Sequence, residues 1–168
     1  MTTDRIQRVL DPAYRHDLQA RDSEQIRAMK QECSAIETAV SYARRLAQAR
    51  VEILEAEQSR RAEGGSITEL IERLPTILAG DSERADPAHT RHAEPDEDIL
   101  DLRWPDGREQ LLADDSLANL PTLSDADLDA TIDRLRDFER DLSNHRRALH
   151  EVIEALELEI ATRAAAGD

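Results

Sequence analysis

The chain of 168 residues carries 37 acidic and 22 basic side chains, a formal charge of −15, and only four aromatic residues. Its own field would repel nucleic-acid phosphates, so counterion release cannot drive direct DNA or RNA binding, and no run approaches the roughly 20 apolar residues that a membrane-spanning helix needs. The single cysteine, Cys33, forms no intramolecular disulfide, and the polar stretch from Met1 to Leu10 lacks the apolar centre of a signal peptide; a soluble, cytoplasmic protein is the expectation.

Aromatic side chains supply much of the bulk of a deep core, and Tyr14, Tyr42, Trp104 and Phe138 are all there are. The abundance of Ala, Leu, Glu and Arg with five glycines predicts long, mutually packed helices. The expected fold is all-α: two long helices forming an antiparallel coiled-coil hairpin, with short accessory helices and an acidic flexible linker.

Five segments follow along the chain. Residues 1–21 hold a short helix, with Asp11 as N-cap and Pro12 at its first position, where a missing N–H does no harm. Residues 22–63 are the first long helix: no Gly or Pro occurs from Ser23 to Arg61, and Ile26, Met29, Cys33, Ile36, Val40, Ala43, Ala47 and Leu54 recur at helical spacing until Gly64-Gly65 ends it. Residues 64–79 are a short amphipathic helix carrying Ile67, Leu70, Ile71, Leu74, Ile77 and Leu78, interrupted by Pro75 and folding back on the long helix. Residues 80–123 are read as the acidic linker, since residues 80–119 contain twelve acids, four arginines and three prolines and cannot bury enough apolar area to offset chain entropy; local order is expected around Ile99, Leu100, Leu102 and Trp104, before the turn Pro105-Asp106-Gly107.

Residues 124–166 are the second long helix. A strict 3,4 spacing holds over ten positions, Leu128, Ile132, Leu135, Glu139, Leu142, Arg146, Leu149, Ile153, Leu156 and Ile160, which is a coiled-coil seam. Eight are apolar, and the exceptions, Glu139 and Arg146, are charges that destabilise a seam unless something satisfies them.

The same exceptions recur in the first helix. A shift of 102 residues places Glu139 on Glu37 and Arg146 on Arg44, and nine of 25 positions match between Glu37–Arg61 and Glu139–Arg163. One copy carries Glu37, Ser41, Arg44, Gln48 and Glu52; the other carries Glu139, Ser143, Arg146, His150 and Glu154. At about 100° and 1.5 Å per residue, the five side chains of a copy share one narrow stripe roughly 22 Å long. Paired as an antiparallel hairpin, two such stripes are related by a pseudo-twofold axis and suit a ligand with the same symmetry. An Arg fork bonds guanine O6 and N7 or a phosphate and stacks on a base, while a Glu accepts from guanine N1–H and N2–H. A twofold guanine dinucleotide fits this set better than a simple phosphate, which the carboxylates would repel.

The pattern E-x3-S-x2-R-x3-Q-x3-D, once on each long helix, resembles the signature of the RsiG-type anti-sigma factors, bacterial coiled-coil proteins that bind cyclic di-GMP; the stretch Ser41-Tyr42-Ala43-Arg44-Arg45-Leu46-Ala47-Gln48 is similar too. The resemblance implies that the ten motif residues hold an intercalated cyclic di-GMP dimer, and that the liganded protein captures a WhiG-type sigma factor and keeps it from RNA polymerase. The chain departs from the signature twice: the final Asp is Glu52 and Glu154, and the second Gln is His150.

Blander readings stand beside this one. Glu139 and Arg146 could form an interhelical ion pair that only fixes register. Glu55, Glu57, Arg60 and Arg61 are read as a solvated face with i,i+4 pairs, and Cys33 as a core residue. His89 and His92 lack further ligands for a metal, and no nucleophile–base set marks an enzyme. Two classes stay open, a nucleotide-gated anti-sigma factor and a nucleotide-independent coiled-coil adaptor or scaffold. Because one chain carries both stripes, a monomer suffices.

Overall fold

Both long uninterrupted segments form single helices in a computed structural model that describes residues 2–83, 108–112, 117 and 119–167. Helix α1 (Thr2–Leu10) is followed by 3-10 turns at Pro12–Arg15 and Leu18–Ala20, then α2 (Ser23–Glu63), α3 (Ile67–Glu83), 3-10 turns at Arg108–Leu112 and Leu120–Thr122, and α4 (Asp125–Ala166). No strand occurs among the described residues. The expected order around Ile99 to Trp104, the turn at Pro105 and the His89/His92 pair lie outside them.

The chain divides into two compact units, each built from one half of both long helices: residues up to Tyr42 with those from Leu142 on, and Ala43–Glu83 with Arg108–Asp141. In the first unit α2 and α4 pack antiparallel, as the pair Lys30–Glu157 at 2.8 Å shows beside the pairs near Glu37 described below. Ile26, Met29, Cys33, Ile36 and Val40 are buried with Leu142, Leu149, Val152 and Leu156. Helix α1 adds Ile6 and Val9 to this core, and Arg8 and Tyr14 both donate to Glu32 of α2. Burial pushes the Cys33 thiol and the Tyr14 hydroxyl up from their ordinary values, so both stay neutral in the interior. Asp11 does cap a turn, its carboxylate accepting from Ala13 N at 2.8 Å, but the turn is the 3-10 segment Pro12–Arg15, and α1 precedes it.

In the second unit Ala43, Ala47, Val51 and Leu54 pack with Leu128, Ile132, Leu135 and Phe138. Gln58 donates to Asp129 at 2.6 Å and Arg61 to Asp125 at 2.8 Å, again antiparallel. Helix α2 ends in a Schellman motif: Gly64, at φ +70°, and Gly65 donate back to the carbonyls of Arg61 and Arg60. The residues Ser66 and Glu69 then start α3 with a reciprocal capping box.

Two expectations need correction here. Helix α3 is not interrupted at Pro75 but runs through it to Glu83; Pro75 and Ile71 are both on the exposed side, where water can satisfy the carbonyl that the ring leaves without an amide partner. Its apolar stripe is also only partly covered: Leu70 is buried, whereas Ile67 and Ile71 are exposed.

The solvated face expected at the end of α2 is the second correction. Glu57 is fully buried, and both oxygens are held by Arg60 and Arg61 through three hydrogen bonds of 2.6–2.8 Å. Those hydrogen bonds and charges, Arg60 foremost, lower the carboxyl from an ordinary 4.5 to about 2. A depressed folded-state value stabilises the fold above the ordinary carboxylate range and is lost as pH falls toward 2. Relative to Glu57→Gln, wild-type stability is therefore expected to fall by about 3 kcal/mol as pH drops from about 4.5 to 2. Urea unfolding of both proteins across that range checks it, and a constant difference would contradict the assignment.

Candidate functional site

Each unit gathers motif residues from both copies of the repeat. In the first unit Glu37 and Ser41 of α2 meet Arg146 and His150 of α4. Ser41 donates to Glu37 Oε1 at 2.7 Å, and Arg146 Nε donates to Glu37 Oε1 at 3.1 Å and to Ser41 Oγ at 3.0 Å. His150 Nε2 lies 3.3 Å from the same carboxylate oxygen. In the second unit Arg44 Nη1 donates to Gln48 at 3.2 Å and to Glu139 Oε1 at 3.4 Å.

The pairing is reciprocal. The Glu of the first copy faces the Arg of the second, and the Arg of the first copy faces the Glu of the second, which is what an antiparallel pairing of two identical stripes produces. The two seam charges of α4 thus each find an opposite charge on α2. Glu37 receives Ser41, Arg146 and the approach of His150, and Arg44 has a buried Nε without a hydrogen-bond partner. Ser143 and Glu52 are half-buried and Glu154 is exposed.

The side chains stay within reach of solvent, with Glu37 at 19%, Arg44 at 26%, Glu139 at 30% and Arg146 at 41% exposure. Accessory segments attach elsewhere. In the first unit α1 and Tyr14 anchor on Glu32, about 140° around α2 from Glu37 at 100° per residue. In the second, Arg50 donates to the Leu112 carbonyl at 2.6 Å and Arg108 donates to Asp141 at 2.6 Å while stacking on Phe138; these α2 and α4 anchors lie about 100–160° from Glu37 and Glu139. Among the described residues, then, the motif side of each helix pair carries none of these accessory contacts.

With the duplicated motif in place, the comparison with known families becomes decisive. A family model described as RsiG-like matches residues 12–78 and 114–168, well over half of the chain. The chain belongs to the RsiG-like family. All ten motif residues fall inside the two matched segments, and most of the acidic stretch falls between them. No curated protein matches the chain. No group of His, Cys, Asp and Glu that could hold a metal occurs among the described residues, and no described helix is long and apolar enough to cross a membrane.

The repeat of this RsiG-like chain also extends beyond the motif. The 3-10 turn Leu18–Ala20 and the helix start Ser23 correspond, at the same shift of 102, to Leu120–Thr122 and Asp125. The caps match as well: Asp22 accepts from Gln25 N at 2.7 Å, and Ser124 accepts from Asp127 N at 3.1 Å. Two further pairs, Glu57/Glu159 and Arg61/Arg163, are among the nine matched positions. Read only as helix-surface charges, they gave no reason to expect a structural role, yet their recurrence at the repeat distance was the available signal.

Proposed function

We propose that the chain is an anti-sigma factor that binds a cyclic di-GMP dimer through the two motif clusters of its coiled coil and, when liganded, holds a WhiG-type sigma factor away from RNA polymerase, repressing transcription. The observation that carries this reading is the reciprocal Glu37–Arg146 and Arg44–Glu139 pairing of a duplicated motif in a member of the RsiG-like family. The donor set fits the nucleotide. Arg44 and Arg146 supply forks for guanine O6 and N7 or a phosphate, Arg44 already has an unpartnered Nε, and Glu37 and Glu139 supply acceptors for N1–H and N2–H. Ser41, Ser143, Gln48 and His150 supply shorter polar contacts, with Glu52 and Glu154 at the far end of each stripe. Half-exposed ion pairs contribute little stability, so exchanging them for nucleotide contacts costs little. The excess negative charge of the chain complements the basic DNA-binding faces of a sigma factor.

A second reading has one observation in its favour. The same two interhelical ion pairs satisfy the seam charges without any ligand, as they would in a nucleotide-independent adaptor whose polar seam only fixes register. Calorimetric titration of cyclic di-GMP, with cyclic di-AMP and GTP as controls, alone and with a WhiG-type sigma factor, separates the two. Selective binding near two nucleotides per chain, tighter with the sigma factor present, is expected; no binding in either arm would leave the adaptor reading.

A further inference from the structure

Arg61 and Arg163 share three contacts atom for atom, to which Arg61 adds its bond to Asp125. Arg61 Nε donates to Glu57 Oε1 at 2.7 Å, Nη1 to the Leu123 carbonyl at 2.8 Å and Nη2 to the Leu120 carbonyl at 3.0 Å. Arg163 Nε donates to Glu159 Oε1 at 2.8 Å, Nη1 to the Arg21 carbonyl at 2.7 Å and Nη2 to the Leu18 carbonyl at 2.8 Å. Every atom of one set is displaced by 102 residues from its counterpart in the other. Each guanidinium sits in the last turn of one long helix and clasps the turn that opens the other, while the carboxylate four residues back fixes its plane. Two carbonyls separated by one 3-10 turn are satisfied by one planar fork, a geometry for which an ammonium is a poor substitute. As pairs, Arg61–Glu57 and Arg163–Glu159 are less exposed than Arg44–Glu139 and Arg146–Glu37, so solvent screening weakens them less.

We propose that Arg61 and Arg163 are positioning residues for the nucleotide site: each locks the end of the helix pair in its own unit and thereby sets the register at which that unit's Glu–Arg pair forms. A slide of one helix along its partner would carry Glu37 away from Arg146 or Arg44 from Glu139. The helix caps Asp22 and Ser124 that follow the 3-10 turns, and the Gly64 stop on α2, give the clasps fixed points to hold. The inference rests on the proposed function for its ligand, but the register claim stands apart from it.

The test uses the full chain. Arg61→Ala, Arg163→Ala and the corresponding Lys variants are compared with Arg136→Ala, which removes a half-exposed interhelical pair to Glu55 in the second unit without touching a turn. Hydrogen exchange of the free protein reads register, and calorimetry with cyclic di-GMP reads affinity. Arg163→Ala is expected to raise exchange near Glu37 and Arg146, and Arg61→Ala near Arg44 and Glu139; each should weaken nucleotide binding about tenfold or more, the scale of one charge-assisted hydrogen bond lost. The Lys variants should recover only part of either effect, and Arg136→Ala should show neither. Faster exchange confined to the terminal turns, with unchanged affinity, would overturn the proposal. If the wild type binds no nucleotide, the proposed function fails, and the exchange arm alone then decides whether the clasps set register.

Discussion

Replacing both Arg44 and Arg146 by alanine is expected to lower cyclic di-GMP affinity by more than about 100-fold while leaving the helix content unchanged. Each guanidinium offers the one planar, bidentate donor of its cluster, and hydrogen bonds to charged groups contribute roughly 1.5–3 kcal/mol apiece; losing two removes a factor of at least about 100. The cost to folding is small because the pairs are partly exposed: Glu37 and Glu139, left without their arginines, stay open to water, and such pairs contribute about 0–1 kcal/mol. Calorimetry and far-UV circular dichroism on one preparation separate the effects. If Arg44 and Arg146 served only to fix helix register, the double variant would instead show altered thermal unfolding and no change in a nucleotide titration. Glu37→Gln and Glu139→Gln extend the comparison, since each keeps an acceptor for guanine N–H but gives up the charge that holds its Arg.

The long helices were legible because two independent signals coincided in each: an unbroken run without Gly or Pro, and apolar residues at helical spacing. All eight apolar positions singled out on α2 are buried, from Ile26 to Leu54, and so are Leu128, Ile132, Leu135, Leu142, Leu149 and Leu156 on α4. The seam exceptions were legible for the opposite reason, since Glu139 and Arg146 break a regular pattern and an acid and a base in the same places on the other helix have to be explained together. Their partners were not legible. Spacing within a helix fixes which side chains share a stripe, but only the register between helices decides that Glu37 meets Arg146 and His150 rather than other residues of α4.

The misread parts have two physical causes, tertiary contact that overrides local preference and, at Pro75, access of water. Glu57 looks like an exposed helix acid because four of its near neighbours are charged, yet two of those neighbours, Arg60 and Arg61, neutralise it inside the fold. Pro75 looks like a stop, but an exposed helix side lets water take over the missing bond. Helix α1 has no seam of its own, and only the burial of Ile6 and Val9 reveals what holds it. Arg50 and Arg108 carry no motif at all. Their role lies in fixing the turn Arg108–Leu112 against α2 and α4, through a carbonyl and a ring that no sequence pattern connects.

Phe138→Ala is expected to cost about 3–5 kcal/mol, the range for truncating a buried aromatic side chain, and to be the most destabilising single truncation in the second unit. Phe138 is fully buried, and the helices around it contribute mostly Ala, Val, Leu and Ile, which are too small or too fixed to refill its volume. Its ring is also the platform for Arg108, whose guanidinium carbon lies 5.2 Å from the ring centroid while the same group donates to Asp141. Truncation therefore removes two things, core volume and the anchor of the turn that Arg50 holds from the other helix. Arg108→Ala loses the stacking and the part-exposed ion pair, for which about 1 kcal/mol is expected. A double-mutant cycle in urea unfolding separates them: Phe138→Leu preserves most of the volume but not the ring, and a coupling energy with Arg108→Ala near 0.5–1 kcal/mol would measure the stacking itself. Coupling near zero would mean that Asp141 alone fixes Arg108, and that the ring is kept for its bulk. In that case the turn Arg108–Leu112 should stay as protected from hydrogen exchange in Phe138→Leu as in the wild type.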